Sequence, residues 1–156
     1  MEKCITDFLS ALSNIDENYI TVIGLNAANE EYQQAAENAF SAELYHQYKS
    51  IIENDKKGYY QGLQLHFDLT KQRFNFRRPD MVLHKAPDSR LDQRLYIEIK
   101  TNRTCINYDS DFEKIFLALS PDDDNEQLGY SNAIFLSVKS EAVKVTSTSL
   151  VRLIGI

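Results

Sequence analysis

Residues 74–102 read FNFRRPDMVLHKAPDSRLDQRLYIEIKTN, and the parsing of this stretch decides the fold. Successive side chains of a strand point to opposite faces, so Leu95, Ile97 and Ile99 share one face while Tyr96, Glu98 and Lys100 share the other. An acid and an ammonium therefore stand side by side. Pro79 has no N–H to give to a ladder and fits the start of a strand, which places Asp80 at the beginning of the strand before. Between the two, the segment from Lys85 to Gln93 carries Pro87, Asp88 and Ser89 and reads as a turn. The strands are expected to fold back as a hairpin, bringing Asp80 beside Glu98.

Outward from the hairpin, Leu63, Leu65, Phe67 and Leu69 alternate with polar residues, a half-buried strand that makes a three-strand meander with Phe76–Lys85 and Arg94–Thr101. Upstream, residues 29–54 are expected to form the longest helix, with Tyr32, Ala36, Phe40, Leu44, Tyr48 and Ile51 or Ile52 on one stripe. Glu43 falls within that stripe by angle, and an acid facing inward is uncommon unless it is paired or bound to metal. Ile5, Phe8, Leu9 and Leu12 predict a short amphipathic helix over residues 4–15, followed by an extended piece from Tyr19 to Leu25.

Downstream, Ser110 and Glu113 have capping-box spacing, and Phe112, Ile115, Phe116 and Leu119 form an apolar helical face that stops at Pro121. Ala133–Val138 is a nearly continuous apolar run, as expected of a strand covered on both faces. The closing LVRLIGI is apolar enough to need cover, from the domain's own sheet or from a second copy.

The chain of 156 residues carries 43% hydrophobic and 26% charged residues, the composition of one ordinary folded domain spanning residues 1–156. No apolar run reaches the length of a membrane span and the N-terminus lacks a basic flank and cleavage site, so no membrane partner is expected and the cytoplasm is the expected location. Cys4 and Cys105 read as free thiols. A net charge of −6 argues against broad, non-specific affinity for nucleic acid. Basic residues are nevertheless dense around the hairpin, with Lys71, Arg73, Arg77 and Arg78 before Asp80 and Lys100 and Arg103 around Glu98; a solvated, aggregation-resistant strand edge accounts for them equally well.

Two carboxylates and a lysine on one patch suit a hard divalent cation that takes oxygen ligands and polarises a phosphate. Here the sequence resembles the PD-(D/E)XK nuclease superfamily, through Pro79-Asp80 and Glu98-Ile99-Lys100, separated by 17 residues between Asp80 and Glu98. The order helix, three strands, helix, strand over residues 29–139 is also that of the superfamily core. The resemblance implies an α/β fold of the restriction-endonuclease-like type: an αβββαβ core whose mixed central sheet is flanked by helices, with an extra N-terminal helix here. It further implies that Asp80 and Glu98 bind Mg²⁺ or Mn²⁺ with the Ile99 carbonyl, that Lys100 orients or deprotonates the attacking water, and that Glu43 holds a second cation or the water shell of the first. The reaction implied is phosphodiester hydrolysis, with DNA as the expected substrate, and Arg78, Arg103, Tyr108 and Lys114 as candidates to touch its backbone.

Other residues carry weaker signals. His46, His66 and His84 lack metal-ligand spacing; His84, four residues after Asp80, reads as a strand-end histidine. Asp109 and Asp111 are explained by capping and solvation, and the acidic loop at 121–126 lacks the glycine and later glutamate of a calcium loop. Three readings stay open: a metal-dependent nuclease, a catalytically silent protein of the same fold acting as a binding or assembly module, and an unrelated domain with an ion pair at Glu98 and Lys100. Homodimerisation, or a partner chain supplying specificity, is compatible with each.

Overall fold

The computed structural model describes residues 2–19, 21–25, 27–35, 37–68, 79–85, 92–101, 109–120, 129–141 and 144–154. Helix α1 spans Lys3–Ser13 and buries Cys4, Ile5, Phe8 and Ala11, with Leu9 and Leu12 of the expected face only partly buried beside them. After a single 3-10 turn at Glu17–Tyr19, strands β1 (Thr21–Leu25) and β2 (Glu31–Ala35) form an antiparallel ribbon. Asn29 adopts the left-handed φ of 59° in the turn between them, a conformation that asparagine tolerates better than most residues.

This ribbon corrects the expected helix over 29–54. Helix α2 begins only at Glu37 and runs to Glu53, and Tyr32 belongs to β2. The segment EYQQA has its main-chain partners in β1, and that pairing overrides a periodicity resting on Tyr32 and Ala36 alone. The remaining stripe holds: Phe40, Leu44 and Tyr48 are buried and Ile51 and Ile52 pack beside them. The Tyr48 hydroxyl donates to the Cys4 carbonyl at 2.9 Å, and its ring meets Phe8 edge-on at 5.6 Å, fixing α2 against α1.

The main sheet contains β3 (Leu63–Phe67), β4 (Met81–Lys85), β5 (Gln93–Thr101), β6 (Asn132–Glu141) and β7 (Lys144–Ile154), side by side in that order. All neighbours are antiparallel except β5 and β6, which are parallel. A parallel pair needs a crossover, and α3 (Asp109–Leu119) lies on it. The fold is therefore α+β with a mixed sheet, compatible with the expected α/β class, and the expected order helix, three strands, helix, strand holds from Glu37 onward. The closing segment forms β7, which pairs with β6 of its own sheet through the backbone.

The sheet separates two apolar clusters. Met81, Leu83, Leu95, Ile97, Ile99, Ile134, Leu136 and Val138 pack with α1 and α2. Val82, Tyr96, Ala133 and Phe135 pack with Ile115 and Ala118 of α3 and with Tyr130. Strand β5 is thus covered on both sides, and the middle of its polar face is dry as well: Tyr96 and Glu98 are both 0% exposed, while Arg94 and Lys100 at its ends are partly exposed. On α3 the expected apolar face is rotated, since Phe116 is 61% exposed and Asp111 is buried. Ser110 lies inside the first turn of that helix rather than at its cap. Phe67, at the end of the edge strand β3, is also exposed. Among the described residues no helix is long and apolar enough to cross a membrane.

Leu44 is fully buried between the helices and the sheet. Leu44→Ala is expected to lower stability by roughly 2–5 kcal/mol in urea unfolding, whereas Phe116→Ala should stay within about 0.5 kcal/mol.

Candidate functional site

The β4–β5 ladder places Met81 opposite Ile97, so the next step outward puts Asp80 opposite Glu98. This is the juxtaposition expected from the hairpin. The ladder ends there, and the Ile99 N–H, which points toward β4 like that of Ile97, donates at 2.5 Å to Oδ2 of Asp80 instead of to a strand carbonyl. The carboxylate substitutes for the missing rung. Strand geometry turns the Ile99 carbonyl to the same side as its N–H, which directs a backbone oxygen toward Asp80.

Tyr96, Glu98 and Lys100 line the face of β5 that α3 covers. Glu98 accepts a hydrogen bond from the Tyr96 hydroxyl at 2.6 Å and one from Lys114 Nζ, on α3, at 3.3 Å. Lys114 also donates to Asp111 Oδ1 at 2.9 Å. Lys100 Nζ lies 3.7 Å from that same oxygen. Three carboxylates and two ammoniums thus converge at the edge of the second apolar cluster. Asp111, expected to be a solvated helix-start acid, is instead the anchor of both lysines.

Charge balance follows from burial. Removal from water pushes the Glu98 carboxyl up to about 7, and the charge of Asp80 pushes the same way; the Tyr96 hydroxyl and the Lys114 and Lys100 ammoniums pull against them. Asp80 is raised too, by burial foremost, against the Ile99 amide and Lys100, with Glu37 adding to the rise. Burial and the Glu98 charge both hold the Tyr96 phenol protonated, well above its ordinary range. For Lys114 burial works against the charged form, but the hydrogen bond to Asp111 and the charge of Glu98 outweigh it and the ammonium is held above its usual range.

Of the residues expected to act together, the structure assembles Asp80, Glu98, Ile99, Lys100 and Lys114. Glu43 is half-buried and accepts from Gln47 at 2.6 Å within its own helix; among the described residues, none of its contacts reaches this cluster. The α2 acid whose charge is felt at Asp80 is Glu37. It precedes Phe40, Ser41, Leu44 and Tyr48 by three, four, seven and eleven residues, and so lies on the buried stripe. By sequence Glu37 reads, with Glu30 and Glu31, as an acid more easily solvated than Glu43, and the helix start at Glu37 is what turns it inward. Arg78, Arg103 and Tyr108 lie outside the described residues, as do Lys71, Arg73, Arg77, Cys105 and the acidic loop at 121–126. Cys4 is a buried free thiol.

Away from the cluster, His84 is fully buried, and its Nε2 lies 2.8 Å from Nδ1 of His66 across the β3–β4 pair. The two are diagonal neighbours in the ladder, a relation that sequence spacing does not reveal. Among the described residues no group of three His, Cys, Asp or Glu side chains is placed to hold a metal ion, so any cation here would rest on two carboxylates, a backbone oxygen, water and substrate. No family model matches the chain, and no curated protein is significantly similar to it.

Glu98 holds its proton more tightly in the folded chain than its ordinary value of 4.5 allows, so stability falls as pH rises from about 4.5 to about 7, and the full penalty is present above that window. Without divalent cations, Glu98→Gln is expected to stabilise the protein at pH 8 by roughly 1–3 kcal/mol in urea unfolding, and to leave it unchanged near pH 4. Equal stability of the two proteins at pH 8 would show that ionised Glu98 carries no such penalty.

Proposed function

We propose that this protein is a metal-dependent nuclease of the PD-(D/E)XK type, hydrolysing phosphodiester bonds in nucleic acid, with DNA as the expected substrate and the cytoplasm as its location. The observation that carries the reading is the cross-strand pair Asp80 and Glu98, with Asp80 clamped by the Ile99 amide and two lysines on the same side. The element order from α2 to β6 and the mixed sheet support a restriction-endonuclease-like core.

The donor set fits a hard divalent cation. Burial raises both carboxyls, and the charge of Asp80 raises Glu98 further, a repulsion that a dication between them relieves. Mg²⁺ or Mn²⁺ would be held by these two carboxylates and the Ile99 carbonyl, and when bound would supply Lewis-acid polarisation of the scissile phosphate and a more acidic water. Lys100 and Lys114 present two ammoniums to the phosphate and stabilise the negative charge that grows on its oxygens. Asp111 fixes where both lysines stand. The Tyr96 hydroxyl occupies one oxygen of Glu98 and leaves the other facing α3, which orients the carboxylate. Glu37, by its charge at Asp80, takes the role of the helix acid that was assigned to Glu43 from sequence.

A second reading is a catalytically silent protein of the same fold that binds or assembles with a partner. The net charge of −6 favours it, because a surface that repels phosphate is a handicap for a free-standing nuclease. The two readings separate in one assay. Supercoiled, linear and single-stranded DNA, together with RNA, are incubated with the protein in Mg²⁺ or Mn²⁺. Cleavage is expected to fall by roughly a hundredfold or more in Asp80→Asn and in Glu98→Gln, with folding verified by circular dichroism. Wild-type protein that cuts none of these substrates leaves the binding module as the reading.

A further inference from the structure

Glu98 is 1% exposed in its side chain, and the cation on its second oxygen is the ammonium of Lys114, at 3.3 Å. This is not the lysine of the Glu98-Ile99-Lys100 triplet. Lys100 projects from the same face of β5, but the carboxylate within its reach is that of Asp111, at 3.7 Å. Lys114 therefore sits where a dication shared by Asp80 and Glu98 would draw on the same oxygen. It is also tethered: its shorter contact, 2.9 Å, is to Asp111, one turn earlier on α3 and itself buried. If Glu98 is withdrawn, Lys114 keeps a partner and stays at the site.

We infer that Lys114 is the resident counter-ion of this site: it neutralises Glu98 in the absence of a divalent cation, competes with such a cation for the Glu98 carboxylate, and on release is retained by Asp111 at the position where a substrate phosphate would meet it. The inference rests on the proposed metal site and adds to it a positioning residue on α3. Its physical basis is that a buried carboxylate, once ionised, needs a compensating charge. Asp80 is an acid and cannot supply one, and Lys100 is directed to Asp111. The occupant is thus a positive charge built into the crossover helix. Release of that charge would couple cation binding to substrate binding, because an ammonium no longer committed to Glu98 is available to phosphate.

The test is the affinity for Mn²⁺ alone, by calorimetry, for wild type, Lys114→Met, Lys114→Gln, Lys114→Arg and Lys57→Met, with a thermal melt of each. Removing the competitor is expected to tighten Mn²⁺ binding about five- to fiftyfold in Lys114→Met and Lys114→Gln. Lys114→Arg keeps a cation on Glu98 and should bind like wild type. Lys57→Met removes the same charge from an exposed position of the described chain and should change affinity less than about twofold, which separates local competition from a general effect of net charge. Unchanged or weaker binding in both folded neutral variants overturns the inference and leaves the metal site standing. Failure of wild type and every folded variant to bind Mn²⁺ overturns both. Unfolding of both neutral variants would make Lys114 a requirement of the fold itself and would likewise overturn the inference.

Discussion

One hydrogen bond governs the arrangement: the Ile99 amide given to the carboxylate of Asp80 where the β4–β5 ladder runs out. A strand amide beyond the last rung, in a sheet covered on both faces, must find an acceptor. A side-chain oxygen supplies it, and because the donor is uncharged it does not neutralise the carboxylate that stands next to Glu98. Backbone pairing thus forces two like charges together inside the protein. The Tyr96 hydroxyl, the Asp111 anchor and the two lysines are the means by which that repulsion is tolerated.

The lysines come from different layers for a geometric reason. Lys100 is placed by the alternation of β5 itself, two residues beyond Glu98 on the same face. Lys114 must arrive from α3, which packs over Tyr96 and Phe135 through Ile115 and Ala118. The parallel β5–β6 pair requires that crossover, so the connection that completes the sheet also delivers the second ammonium. Fold and site share the same topological element.

The hairpin, the alternation of β5 and the order of elements from α2 to β6 were legible because each rests on local period and turn chemistry. The β1–β2 ribbon was not: EYQQA has no apolar alternation, and it is a strand by its main-chain pairing with Thr21–Leu25. The sequence also announces too little about which face of α3 turns inward. Phe116 has the more apolar side chain, yet Asp111 is the one buried, because Lys100 on β5 and Lys114 on its own helix both turn to it. The same holds for the contact between His66 and His84, which exists only in the register of β3 on β4.

The unequal lengths of the connections on either side of β5 impose an order on assembly. Seven residues separate β4 from β5, but thirty separate β5 from β6. Closing the longer span costs about 1.3 kcal/mol more in chain entropy by the logarithmic law, so the hairpin is the contact that forms with less delay. The two acids meet while the strand is still wet and water screens them. Their base reaches them only when the crossover helix docks and drives that water out. Docking of α3 is then the step at which Glu98 exchanges its hydration for Lys114.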